Sequence, residues 1–416
     1  MNIGKELVTV IDSAPGYGKT TWAFENIRRD TSGSSLYITP FLSEVDRACS
    51  TIPRFRKPTF AKDGSKLTDL KNLLGRGDDI ASTHSMFYRL DDEAKELIHQ
   101  ADYTLYLDET ISAVEPYELA EKDSLQLLLD AGVLEIESDG LIRWIKDEIA
   151  DTRYSDLMRL AKNECLYQIS GGILMWRYPP ALFRIFKKIY ILTYNFHAST
   201  MRLYFDAFGI GYERKSIRQS ETAWYSYELC DYYPTDKTEY RKKINVYGNE
   251  IFRGKHEQKK TELSVNWYKH ADPYNLKNLK CKTENFFRHK MHADGKDVLW
   301  TTFAEYQGKL KGRGYTRYRN ERGDWQSCFL PFNSRATNDY LNSHILAYLV
   351  NVYHNPNVLK FFATRGIKID DYLKDEFATS ELIQWIFRSA IRKGDEIHIY
   401  IPSNRMRTLL MDWLKN

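Results

Sequence analysis

The first half of the chain alternates short, nearly continuous apolar runs with stretches whose apolar residues recur at helical spacing. The runs fall at 8–11, 36–40, 80–84, 103–110 and 189–193, and the helical patterns at 21–28, 42–48, 67–74 and 92–100. A short apolar run predicts a strand covered on both faces, and strands separated by helices predict a parallel sheet joined by crossovers. The rhythm breaks at about 112–181, where helical stretches surround a predicted hairpin, 133–136 with 141–144, turning at Asp139-Gly140. That stretch reads as an insertion. Residues 206–258 are polar and aromatic without a clear period, which predicts a linker or irregular region. A second series then predicts a strand at 297–303, a helix at 304–310, a strand-like piece at 328–332, a helix at 344–353, an amphipathic helix at 380–392, a strand at 396–401 and a closing helix at 406–414. The pattern therefore predicts an α/β chain of two tandem domains, 1–205 and 259–416, each a parallel sheet flanked by helices, with a helical and hairpin insertion in the first.

Composition sharpens this in three places. The 416 residues suffice for two or three domains, and 29 Tyr, 20 Phe and 9 Trp supply both core packing and flat faces on which bases stack. The net charge is only +4, yet residues 237–322 hold 21 Lys or Arg against 10 Asp or Glu, a local excess of 11 that points to a polyanionic partner. Five scattered cysteines without Cys-x-x-Cys spacing imply reduced thiols, and Cys281 with His289 and His292 lacks a fourth ligand at finger-like spacing. No apolar run approaches the roughly 18 residues that a spanning helix needs, so the expectation is a soluble cytoplasmic protein with no membrane partner.

The candidate chemistry begins where the first apolar run empties into Asp12-Ser13-Ala14-Pro15-Gly16-Tyr17-Gly18-Lys19-Thr20 and then a helix. A glycine-rich turn from a strand into a helix N-terminus aims backbone N–H groups at a polyphosphate; Ser13, Gly16, Tyr17, Gly18 and Thr21 would form the cradle, Lys19 would reach the β/γ-phosphates, and the Thr20 hydroxyl would hold Mg²⁺. Ser13 stands where such loops usually begin with glycine. Asp108-Glu109 close a later apolar run, as nucleotide hydrolysis requires: one carboxylate for Mg²⁺ and a neighbour to polarise the attacking water. Gln384, Arg388 and Arg392 are spaced to share one helix face and could place positive charge on a transferring phosphoryl group. Arginines and lysines interleave with aromatics at 309–325, which suits phosphate contact and stacking through Lys311, Arg313 and Arg317.

In this order the residues resemble the superfamily 2 DExx-box (DEAD/DEAH-like) helicases and translocases, and the C-terminal run is similar to helicase-like proteins of bacteriophages and bacterial mobile elements. Residues 13–20 look like motif I, Thr39-Pro40 with Arg47 like motif Ia, Ser82-Thr83-His84 like motif Ib, Asp108-Glu109 like motif II, and Thr193 onward like motif III. Residues 298–303 look like motif IV, 335–339 like motif V and 384–392 like motif VI. The resemblance implies two RecA-like domains with ATP in their cleft. It implies Mg-ATP held by Lys19, Thr20 and Asp108, water activated by Glu109, Gln384 beside the catalytic arginines, and either Arg388 or Arg392 as the finger. It also implies strand contacts from Thr39, Pro40, Arg47, Thr83, His84, Thr301, Thr337 and Asn338. The expected function is an ATP-dependent helicase or translocase in phage or mobile-element replication or repair. Its substrate is single-stranded or forked DNA, with RNA as the other possibility, and replication proteins are possible partners. A packaging-type, terminase-like ATPase and a catalytically idle RecA-like scaffold are the alternatives.

Overall fold

Strands β1 (Val8–Asp12) and β2 (Ser35–Thr39) are buried at every position, and β3 (Ile80–Thr83) and β4 (Thr104–Asp108) at all but their last. Runs this apolar are stable only when helices cover both faces of the sheet. Helix α1 (Lys19–Arg29) supplies part of that cover through Trp22, Ala23, Phe24 and Ile27. Trp22 meets Tyr190 edge-on and Phe24 meets Tyr37 in the same way, both at 5.2 Å between ring centroids, a favoured aromatic geometry. Helix α2 (Leu42–Thr51) follows β2.

The computed structural model describes residues 8–60, 64–119, 124–146, 154–221, 226–248, 261–320, 322–334 and 339–415. They form two compact units: Met1–Asp12, Gly18–Tyr232 and His354–Asp370 in the first, and Ser13–Tyr17, Tyr233–Tyr353 and Asp371–Asn416 in the second. Among the described residues no helix is long and apolar enough to cross a membrane.

In the first unit the predicted insertion is present. Strand β5 (Val114–Pro116) comes first, then the antiparallel hairpin of β6 (Leu134–Ile136) and β7 (Ile142–Trp144), then β8 (Leu166–Ile169) and β9 (Ile173–Arg177), with β5, β9 and β8 forming a small antiparallel sheet. A core around Leu128, Ile142, Leu157 and Leu166 holds it together. The main sheet then resumes with β10 (Lys188–Thr193), β11 (Glu213–Gln219) and β12 (Tyr227–Asp231) and runs in the order β12-β11-β1-β10-β4-β2-β3. Only β12 is antiparallel to its neighbour. Two of its strands thus lie in the stretch read above as linker. β12 is the edge strand and β11 lies next to it; both are only partly covered, so they lack the apolar run that marks the central strands.

In the second unit β13 (Ile244–Tyr247), β14 (Val298–Thr301), β17 (Ile345–Tyr348) and β18 (Ile397–Tyr400) form a parallel sheet in the order β13-β18-β17-β14, while β15 (Arg317–Arg319) and β16 (Trp325–Ser327) pair separately. The fold is mixed α/β with parallel sheets flanked by helices. The stretch 344–353, read above as a helix, instead holds β17: a buried apolar run of this length does not distinguish helix from strand by periodicity, and its place between two parallel neighbours decides it. The helix expected over 380–392 spans Asp371–Ile386 and is buried nearly all round at its end, with Trp385 5.2 Å from Tyr348. It stops because Arg388 and Ser389 donate their N–H groups to Trp385 and Ile386, tightening the last turn, and Ala390 N–H leaves for the Ser343 carbonyl. Gln384, Arg388 and Arg392 therefore do not share one helix face.

Candidate functional site

Where β1 ends, the chain turns through Gly16 and Gly18, whose φ angles of +88° and +87° lie in the left-handed region that glycine alone enters freely. At Gly18 there is also no room for a side chain, since a Cβ would stand 2.3 Å from Cζ of Tyr227. The turn delivers the chain into α1, which has no side-chain cap and no acidic residue in its first turn. Helices Lys66–Gly75 and Asp92–Gln100 are capped by Ser65 and Asp91. Helix α1 thus begins without a side-chain cap, and its positive end is an electrostatically favourable place for an anion. Lys19 and Thr20 stand at this end partly buried, Ser13 is 8% exposed, and Thr21 is exposed.

Asp12 ties the end of β1 to two neighbouring strands. Its buried carboxylate accepts the backbone N–H groups of Asn195 and Phe196 at 2.7 and 2.9 Å and pairs with Arg214 at 2.7 Å, while its carbonyl accepts the Ser216 hydroxyl. Arg214 also lies 3.5 Å from the Tyr232 ring centroid. Removing one member of such a pair leaves the other charge uncompensated. Asp12→Ala should accordingly destabilise the first unit by about 3 kcal/mol, read as a lower urea midpoint with unchanged slope.

Asp108 and Glu109 stand at the carboxyl end of β4, which is separated from β1 by β10 alone, so the two strand ends are about 10 Å apart. Tyr37, fully buried on β2, donates its hydroxyl to Asp108 Oδ2 at 2.6 Å, and His84 Nε2 lies 3.1 Å from the Asp108 carbonyl oxygen. Burial pushes the Asp108 carboxyl up to about 6; the Tyr37 hydrogen bond opposes the rise, and Glu109 and Glu44 add to it. Glu109 is held at φ +72°, a conformation costly for a residue with a Cβ, by its N–H bond to the Leu192 carbonyl. The oxygen donors of Thr20 and Asp108 suit a hard cation such as Mg²⁺.

The remaining expected residues divide. In the second unit, which includes Ser13–Tyr17, the Arg392 side chain lies against Gly16: a Cβ there would stand 3.2 Å from its Cγ. Tyr17 and Tyr240 hydroxyls are 3.4 Å apart in the same unit. Arg388 is 6% exposed and Gln384 8%, with the Gln384 amide bonded to the Ser380 hydroxyl. Of the expected strand contacts, Pro40 and Thr83 line an open groove of about 970 Å³ with Phe41, Phe60, Lys66 and Arg89, although the Thr83 hydroxyl also caps a short helix. Arg47 is paired with Glu44 at 2.6 Å, and His84 turns toward Asp108. Thr39 and Thr301 are fully buried at the ends of β2 and β14, so neither side chain is open to a strand in this conformation. Lys311, Arg313 and Arg317 are exposed, and Thr337 and Asn338 lie outside the described residues. Sequence reasoning missed Tyr37, Asp12 and Arg214, whose partners are far away along the chain.

A family model described as the YonV C-terminal Rossmann-like domain matches residues 238–414, and one described as the YonV middle domain matches 114–176. The SPbeta prophage-derived uncharacterized protein YonV of Bacillus subtilis (strain 168) is 34% identical over 428 residues, covering 99% of each chain. The chain belongs to the YonV family. The YonV middle domain coincides with β5–β9, so the insertion belongs to the family's architecture, and the C-terminal match spans β13 through the last helix. Among solved structures, an XPD structure in apo form shares the fold with a TM-score of 0.53 at 12% identity, over 99% of this chain and 95% of that one. The XPD protein Xpd4 of S. tokodaii gives 0.50 at 12% identity, over 98% and 94%.

Proposed function

We propose that this YonV-family chain is an ATP-hydrolysing nucleic-acid motor of the helicase or translocase kind. The observation that carries the reading is the carboxyl end of one parallel sheet: a glycine-turned loop opening an uncapped helix after β1, and Asp108 with Glu109, the latter at positive φ, at the end of β4, with one strand between them. The likeness to XPD-type helicases in fold and the prophage relative support it.

In this reading the loop amides and Lys19 hold the β- and γ-phosphates of ATP. Thr20 and Asp108 would hold Mg²⁺, which when bound supplies charge neutralisation on the phosphate oxygens. Glu109 takes the proton from the water that attacks the γ-phosphorus as ADP departs, and Tyr37 orients Asp108. Arg392, lying against Gly16, is the better candidate than the enclosed Arg388 for steadying charge on the transferring group. In the first unit the groove containing Pro40 and Thr83 is the candidate contact for a nucleic-acid strand, and in the second unit the exposed basic residues Lys311, Arg313 and Arg317 are.

Strand-displacement reactions on DNA and RNA duplexes with 3′ or 5′ single-stranded tails test the reading. Displacement that requires hydrolysable ATP and one tail polarity is the expected result. Steady ATP hydrolysis that no nucleic acid alters, with no displacement or movement on any substrate, contradicts the motor.

A further inference from the structure

Strands β15 and β16 form an antiparallel pair in which Arg319 faces Trp325 and Arg317 faces Ser327. Because side chains alternate across a strand, these four share one face and Tyr318 turns to the other. Tyr318 is the anchor: it packs on the core of the second unit, and a Cβ on Gly295 would stand 2.8 Å from its Cβ. The outward face is exposed along its length, with 53% of Trp325 open to solvent. The Arg317 and Arg319 guanidinium carbons lie 4.1 and 5.1 Å from the Trp325 ring centroid. Among the described residues no carboxylate is paired with either guanidinium. A hairpin needed only for packing would bury its indole; this one presents an indole and two cations outward, in the most basic stretch of the chain.

The geometry points to this face as a binding surface for single-stranded nucleic acid, with Trp325 stacking on a base and Arg317 and Arg319 taking neighbouring phosphates. The inference rests on the motor reading and deepens it. Neither phosphate contact nor stacking requires a particular base, so the surface takes any sequence.

The full-length chain is titrated against labelled oligodeoxythymidylate and oligouridylate by fluorescence anisotropy at several salt concentrations. Trp325→Ala should weaken binding about 10-fold, and Trp325→Phe should restore most of the affinity because it keeps a stacking face. Arg317→Ala with Arg319→Ala should flatten the dependence of log K on log salt by roughly 1.4, the value for two contacts to a single strand. All three variants should keep the wild-type urea midpoint, since the side chains they alter are exposed. Wild-type binding by Trp325→Ala, or a loss that Trp325→Phe does not restore, overturns this inference and leaves the motor standing. A wild-type chain that binds neither oligonucleotide overturns both. Polyglutamate binding as tightly as the oligonucleotides with the same dependence on Trp325 makes the face a surface for acidic peptide, and the inference fails.

Discussion

Lys19→Ala should lower kcat/KM for ATP by about 10²–10³-fold, because it removes a charge-assisted contact to the phosphates that the helix N-terminus alone cannot replace. The loss should fall on nucleotide binding and turnover together, since the lysine serves both the bound ATP and the developing charge. Folding should be untouched: Lys19 is only partly buried, and α1 is anchored by Trp22, Phe24 and Ile27. Equal urea midpoints for the two proteins, measured beside phosphate release, separate a chemical effect from a structural one.

The strand-end carboxylates should separate by role. Glu109→Gln should reduce turnover about 10²–10⁴-fold while leaving Mg-ATP binding near wild type, as removal of a general base does. Asp108→Asn should also abolish turnover, yet it should make the metal-free chain more stable at neutral pH. The folded-state carboxyl titrates at about 6, above its ordinary value of 3.8, so between those values the folded chain holds a proton that the unfolded chain has lost. Stability from this group is therefore present at low pH and lost as pH rises through that window. At neutral pH the ionised Asp108 is a net cost, on the order of 1–2 kcal/mol after allowance for solvent screening of a partly exposed group, and asparagine removes it. Thermal unfolding across that pH range should show the Asp108→Asn advantage closing as the solution becomes more acidic. Added Mg²⁺ should raise the melting temperature of the wild type and not of the variant.

The elements that could be read from sequence are those whose cause is local. The loop at Gly16 and Gly18 needs two left-handed residues before a helix, and the chemistry that allows this is written in adjacent positions. Fully buried strands such as β1 and β4 announce themselves as apolar runs. The partly covered strands β11 and β12 at one end of the sheet do not, and they lie in the stretch that reads as a linker. At β17 an apolar run was present, but only its parallel neighbours β14 and β18 distinguish strand from helix. The Tyr37 hydroxyl on Asp108, and Asp12 joined to Arg214 and the backbone of Asn195, span long stretches of chain that no local pattern encodes. Trp325 likewise acquires meaning only once β16 sets it opposite Arg319. Thr39 and Thr301 show the converse: a motif places them plausibly, and burial closes them.

Phosphate release from ATP by the full-length wild-type chain, measured with and without single-stranded DNA or RNA, bears most directly on the central claim. Mg²⁺-dependent turnover that nucleic acid accelerates several-fold and that Lys19→Ala lowers by about 10²–10³-fold is the expected result. A wild-type rate indistinguishable from that of Lys19→Ala, with every nucleic acid tried, would contradict it.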